Sequence, residues 1–264
     1  MSALLKSDLS PFGTLRVATP VDVPEPVREA VDPRQERDQK WQALQPIDID
    51  RAAFSNPLLV ARDSGRRAIP FDGLATKLAA QASVKGWKRI AITSATAGVG
   101  KTTLVANLAL AFARASDQKV LICEMNQRNP SLASLFAVNP RRDISEVLFD
   151  DLDFATQGHR LQSAVAMAFS QQRQRGVFDM HPPRAVHDAL AKLTESFQPD
   201  LVLYDLPHIY GDDATFGFLA GVDCALAVAR QDQSLMSELD GCERDIATQT
   251  AFAGFIVTQS RQLT

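Results

Sequence analysis

Residues 88 to 103 read Lys-Arg-Ile-Ala-Ile-Thr-Ser-Ala-Thr-Ala-Gly-Val-Gly-Lys-Thr-Thr, an apolar run that passes through a glycine-bearing turn into a helix-forming segment. No other stretch of the chain restricts the fold as tightly. Small residues at Gly98 and Gly100 let the backbone wrap a phosphate and turn its N–H groups inward. Lys101 would then reach the outer phosphates of a nucleotide. The Thr102 hydroxyl would meet Mg²⁺, and the first turn of the following helix would present its positive end to the same anion. The usual pattern is G-x-x-x-x-G-K-[ST], and its first glycine is Ala95 here. The flanks supply the context the motif requires: Ile90, Ala91 and Ile92 predict a buried parallel strand, and Leu104, Leu108, Ala111 and Phe112 recur at helical spacing. Ala97, Gly98, Val99, Gly100, Lys101, Thr102 and Thr103 are therefore the nucleotide-binding candidates. The competing interpretation is a strand-to-helix glycine turn that holds no ligand.

The rest of the chain is arranged around this loop. Residues 1–40 carry Pro11, Pro20, Pro24, Pro26 and Pro33 among interleaved charges, which predicts a disordered N-terminal arm. Residues 41–70 gain Trp41, Leu44, Ile47, Phe54, Leu58, Leu59 and Val60, an irregular segment expected to lie on the domain surface. Residues 71–264 form the nucleotide-binding domain. In it, Phe71, Leu74 and Leu78 line a helix ending near Gly86, and Val120–Cys123 predicts a second buried strand. Residues 143–160 read as short helix and loop, 163–169 as a strand, and 171–183 as a polar loop. Val186, Leu190, Leu193 and Phe197 mark a helix, followed by the strand 200–205. A strand at 224–229, a helix striped by Leu235, Leu239, Cys242 and Ile246, and a last strand at 254–257 complete the order. Strands alternating with helices at this spacing predict an α/β fold, a doubly wound and mostly parallel sheet.

Mg²⁺ takes oxygen ligands and usually meets protein through one or two carboxylates. Asp205 closes an apolar strand and is the first candidate; a turn-capping Asp is the alternative. Glu124 ends the neighbouring apolar run, where it would touch the metal shell or orient an attacking group, unless it is a surface-loop Glu. The catalytic candidates are Lys101, Glu124 and Asp205, and the metal candidates Thr102, Glu124 and Asp205. Arg128 is a phosphate or acidic-partner candidate against the commoner solvated arginine, and His208 is expected near the crevice without a catalytic role.

A formal net charge of −3 over 264 residues leaves no electrostatic footprint for nucleic acid. Cys123, Cys224 and Cys242 lack metal-ligand spacing and are expected to be buried, reduced thiols. No apolar run approaches the roughly 20 residues of a spanning helix, and the N-terminus lacks a signal peptide's apolar core, so a cytoplasmic protein without direct membrane insertion is expected.

With these motifs in order, the chain from about Trp41 to Val257 resembles the bacterial tyrosine kinases of capsule and exopolysaccharide export, relatives of the MinD/ParA P-loop ATPases. The matching pieces are Phe71-Asp-Gly-Leu-Ala-Thr76, Gly86-Trp-Lys-Arg-Ile-Ala-Ile-Thr-Ser94, Gly100-Lys-Thr-Thr103, Asn129-Pro-Ser-Leu132 and Asp205-Leu-Pro207. The resemblance implies ATP with Mg²⁺, a second-strand acid at Glu124, Asp205 as the Walker B residue, and a membrane polysaccharide co-polymerase whose cytoplasmic tail is the partner, with oligomers possible. It also exposes departures. The family's D-x-D reads Glu124-Met-Asn126, and an amide cannot serve as a base. Its E-x-x-R-x-x-R ring-forming stretch reads Asp72, Ala75 and Leu78. The adenine-pocket Asn segment reads Thr258-Gln259, and the C-terminal tyrosine cluster is missing, since the chain holds only Tyr204 and Tyr210. Thr96 stands where MinD/ParA proteins carry an extra lysine. Three functions follow: a phosphotransferase or ATPase of polysaccharide export, a catalytically weakened nucleotide-binding adaptor, and, less favoured by Thr96, a positioning ATPase.

Overall fold

The computed structural model describes residues 32–49, 56–115, 118–211 and 213–258. The expectations for residues 1–31, for Phe54 and for Gln259 lie outside these residues. In chain order the elements are α1 (Pro33–Ala43), β1 (Gln45–Pro46), α2 (Ile69–Lys85), β2 (Arg89–Thr93), α3 (Lys101–Ala115) and β3 (Val120–Glu124). Next come α4 (Leu132–Leu135), α5 (Ile144–Phe149), α6 (Phe154–Gln157), β4 (His159–Leu161), β5 (Val165–Ala168), α7 (Val177–Met180) and α8 (Pro183–Phe197). The chain continues through β6 (Leu201–Asp205), α9 (Asp213–Phe218), β7 (Cys224–Arg230), α10 (Met236–Gln249) and β8 (Ala251–Thr258).

The eight strands form one sheet in the order β1-β4-β5-β3-β6-β2-β7-β8. Every pairing is parallel except β4 with β5, so the doubly wound, mostly parallel α/β fold read from the sequence holds. The apolar runs of β2, β3, β6 and β7 are continuous because both faces of these strands are covered. Ile90 and Ile92 point into a core packed by α2 and α3, while Ala91, Val202 and Tyr204 enter a second core with α8, α10 and Trp41.

The helix α1 spans Pro33–Ala43, and the compact unit that contains it starts at Pro33. Pro33 is the first helical residue, where its missing N–H would have had no partner in any case. Trp41 then anchors the helix: it is buried, and its Nε1 donates to the Phe197 carbonyl at 2.7 Å. Truncating a buried tryptophan costs about 3–5 kcal/mol, which outweighs the weak propensity of this polar helix. Two further differences concern short elements. β1 and β4 were absent from the sequence-based expectation, and α7 sits inside the expected polar loop with Val177 and Phe178 buried. The stripe on α10 is only half used, since Cys242 and Ile246 are buried but Leu235 precedes the helix and is 62% exposed. All three cysteines are free and buried.

Candidate active site

The carboxyl ends of three adjacent strands, β3, β6 and β2, meet below the loop 94–101. Glu124 pairs in register with Asp205, and Asp205 with Ile92. Gly98 and Gly100 take φ values of 76° and 94°, in the left-handed region that disfavours a side chain. From the far edge of the sheet, Thr258 Oγ1 donates to the Val99 carbonyl at 2.7 Å, and Gln233 Nε2 donates to the Ala97 carbonyl at 3.2 Å. The loop is thus fixed from outside, with Gly98, Gly100, Lys101 and Thr102 lining a crevice of about 380 Å³.

Lys101 is buried at the mouth of α3. Its Nζ donates to Ser94 Oγ at 2.8 Å, and that hydroxyl donates onward to the Thr96 carbonyl at 2.6 Å. Burial lowers the Lys101 pKa, and the Asp205 charge partly restores it. Asp205 is fully buried, and neither of its oxygens has a hydrogen-bond partner among the described residues. Burial raises its pKa to about 6, against the opposing pull of the neighbouring Thr102 hydroxyl and the Lys101 charge. The Thr102 hydroxyl stands beside the carboxylate without completing a hydrogen bond by distance and angle, which leaves both oxygens as open acceptors. An orphaned, fully buried carboxylate is costly unless something else binds it.

Glu124 is buried as deeply but is fully engaged. Its Oε1 accepts the Ser131 and Leu132 N–H groups, each at 2.7 Å, and Oε2 accepts the Ser170 N–H at 3.0 Å. Its pKa is raised to about 7, because burial outweighs those three donors and Asp205 adds repulsion. Neither carboxylate reaches the crevice surface. The wall opposite the loop is built by Met125–Asn129 and by Gly176, Phe178 and Asp179, and Arg128 pairs with Asp179 across it. Behind the wall, Gln127 donates to Asp143 and accepts the Val177 N–H.

His208 lines the same crevice and stays neutral more readily than usual, first through burial and then through the Lys101 charge. A Cβ on Gly211 would stand 2.5 Å from its ring, so any larger residue there would displace the imidazole. Asp72, at the ring-forming position of the resembled family, pairs with Arg114 of α3. The structure therefore gathers Lys101, Thr102, Asn126, Arg128 and His208 at one crevice, with Asp205 and Glu124 buried side by side beneath it. Asp179 and Ser170 were missed, because each acts from a segment far away in sequence; Thr258 was named only within the adenine-pocket segment, and its bond to the loop was not foreseen.

Residues 90–261 match the model of the CobQ/CobB/MinD/ParA nucleotide-binding domain. The chain belongs to this family. No curated protein matches it by sequence. Among solved structures, the kinase domain of the Escherichia coli tyrosine kinase ETK is similar at 21% identity and a TM-score of 0.67, covering 88% of this chain and 96% of that one. The cobyrinic acid a,c-diamide synthase of Mycobacterium smegmatis, with a bound ATP analog and magnesium, is similar at 19% identity and a TM-score of 0.53, covering 67% and 75%. The MinD cell division protein of Aquifex aeolicus is similar at 22% identity and a TM-score of 0.51, covering 66% and 70%. The fold is thus that of the bacterial tyrosine kinase domains and their MinD-like relatives. Among the described residues, no helix is long and apolar enough to cross a membrane.

Proposed function

We propose that this protein binds Mg²⁺-ATP in the crevice above β2, β3 and β6 and works as a phosphotransferase or ATPase of polysaccharide export, with the cytoplasmic tail of a membrane co-polymerase as its partner. The observation that carries the nucleotide part is Asp205, a buried carboxylate with both oxygens open, set beside the Thr102 hydroxyl and the Lys101 charge. That donor set suits a small divalent cation, which takes oxygen ligands and completes its shell from phosphate and water. Thr102 and Asp205 would hold it. Lys101, already desolvated, would pair with the outer phosphates, and the glycine-shaped loop would supply N–H groups to the same charge. Bound Mg²⁺ would neutralise charge developing on the transferred phosphoryl group. The ATP analog and magnesium bound to the cobyrinic acid a,c-diamide synthase structure, and the kinase fold shared with ETK, support the same assignment.

One observation favours the adaptor: Glu124 already accepts three backbone N–H groups, and the next acid of the family pattern is Asn126. Phosphoryl transfer depends on positioning and charge, so turnover can vanish while binding persists. Calorimetric titration with Mg²⁺-ATP, followed by product analysis on the same sample, separates the two. Binding is expected in either case. ADP release that rises when the co-polymerase tail is added supports the enzyme, binding without product supports the adaptor, and absence of binding removes both.

The tyrosines give a further expectation. Tyr204 is buried on β6, edge-on to Phe218 at 5.3 Å, and burial raises its pKa strongly. Tyr210 is 53% exposed but donates to Asp245 at 2.9 Å, and burial and Asp245 raise its pKa to about 12. In-line transfer needs the acceptor oxygen within roughly 3–3.5 Å of phosphorus, which Tyr204 would reach only by local unfolding. Incubation with labelled Mg²⁺-ATP and phosphopeptide mapping is expected to find neither tyrosine modified. Stoichiometric phosphotyrosine at either position would return the chain to the autokinases.

A further inference from the structure

We propose that Glu124 is a positioning residue and not a ligand of magnesium: it ties the crevice wall to the end of β3 and leaves Asp205 as the strand-end carboxylate that is open to the metal. The inference deepens the Mg²⁺-ATP assignment and rests on it for the metal, but its structural half stands alone.

Glu124 and Asp205 sit side by side at paired strand ends, equally buried, so position alone does not tell them apart. Their hydrogen bonding does. Three main-chain donors converge on Glu124: two from the segment that opens α4 and one from Ser170, just past β5. Ser170 closes the link from the other side, since its Oγ donates to the Glu124 carbonyl at 2.6 Å. One side chain thus joins the ends of β3 and β5 to the start of α4, and the chain between Glu124 and Ser131 is the crevice wall. Oε1 already holds two N–H donors, so a metal ion would be confined to the remaining lone pair of Oε2 or would have to orphan a backbone N–H, at a penalty for each donor lost. Asp205 presents no such obstacle.

The geometry also explains why the residue is Glu. An Asp here would end about 1.5 Å shorter, one C–C bond, and could not span both loops. A second buried carboxylate extends the same scheme. Asp143 accepts the Ser145 N–H at 2.8 Å, the Gln171 N–H at 2.6 Å and the Gln127 amide, and so ties the other end of the wall to the segment after β5. The wall is held by two acids that both look away from the crevice.

The test uses the full chain with Glu124→Asp, Glu124→Gln and Asp205→Asn. Two quantities are read: amide hydrogen exchange at Ser131, Leu132 and Ser170 without ligand, and the factor by which Mg²⁺ tightens ATP binding. Glu124→Asp is expected to speed exchange at the three amides by tenfold or more, and Glu124→Gln, which keeps the reach and one acceptor oxygen, by less. In both, the magnesium factor is expected to stay within about twofold of wild type. Asp205→Asn is expected to do the reverse, leaving exchange unchanged and abolishing the factor. If Glu124→Gln abolishes the factor as Asp205→Asn does, or if exchange in Glu124→Asp matches wild type, the proposal is overturned. Should the wild type bind no ATP, the Mg²⁺-ATP assignment fails, while the exchange data still decide whether Glu124 holds the wall.

Discussion

Asp205→Asn is expected to raise the melting temperature of the ligand-free protein while removing the magnesium dependence of nucleotide binding. The carboxyl is fully buried without a hydrogen-bond partner, and its pKa of about 6 lies above the ordinary 3.8. A shift of about two units corresponds to about 3 kcal/mol of penalty on the charged form. Asn has its own cost, about 1–3 kcal/mol for an amide left unpaired, so the net gain at pH 8 is about 0–2 kcal/mol, or up to about 8 °C for a domain of this size. The sign of the pH dependence follows from the direction of the shift. Because the folded value is raised, the contribution is fully present below pH 3.8 and is lost as pH rises through about 6. Wild type and variant should therefore converge near pH 5 and separate toward pH 8. Glu124 is raised to about 7 by burial and, in part, by the Asp205 charge, so it drives a fall in the same direction in both proteins but a smaller one in the variant, which adds to the separation toward pH 8. A variant less stable than wild type at pH 8, with magnesium dependence intact, would mean that Asp205 is a structural acid and the metal assignment is wrong. A gain in stability from deleting a site residue is the usual mark of a group held for function.

The parts of this molecule that the sequence made legible are those governed by local periodicity or by one short motif. β2, α3, β3, β6 and β7 follow from apolar runs and helical spacing because both faces of these strands are buried, and a run of Leu, Ile, Val and Ala has few other homes. Lys101, Thr102 and Asp205 were legible for the same reason: each is fixed by its place at the end of a strand or the start of a helix. The misses share a different cause. β1 and β4 are two and three residues long and exist only because each finds a partner edge, and nothing local marks them. α1 was obscured by the prolines before it, while the decisive contact of Trp41 is with Phe197, 156 residues away. The state of Glu124 was beyond reach as well. Strand-end position announced both acids alike, and only the folded loops show that one accepts three N–H donors while the other has none.

Lys101→Met is expected to leave the fold intact and to abolish most of the stabilisation by ATP. The side chain is buried against Ser94 and its charge is already disfavoured by burial, so an apolar side chain of similar length fits the site without a desolvation penalty. Asp205 loses the one positive charge that lowers its pKa and becomes easier to protonate, which keeps the ligand-free melting temperature within a few degrees of wild type. The nucleotide response is another matter. At a ligand concentration 100 times the dissociation constant, wild type should gain about 2.7 kcal/mol, or about 5–10 °C. A charge-assisted contact to phosphate is worth about 1.5–3 kcal/mol, up to a hundredfold in affinity. With the full loss, the same ATP concentration would supply about 0.4 kcal/mol, a shift under 2 °C. Circular dichroism checks the fold, and thermal denaturation with and without Mg²⁺-ATP checks the response. Equal shifts in the two proteins would show that the loop 94–101 is only a turn between β2 and α3. A collapse of the circular-dichroism spectrum would make Lys101 a structural residue, tied to Ser94 rather than to phosphate.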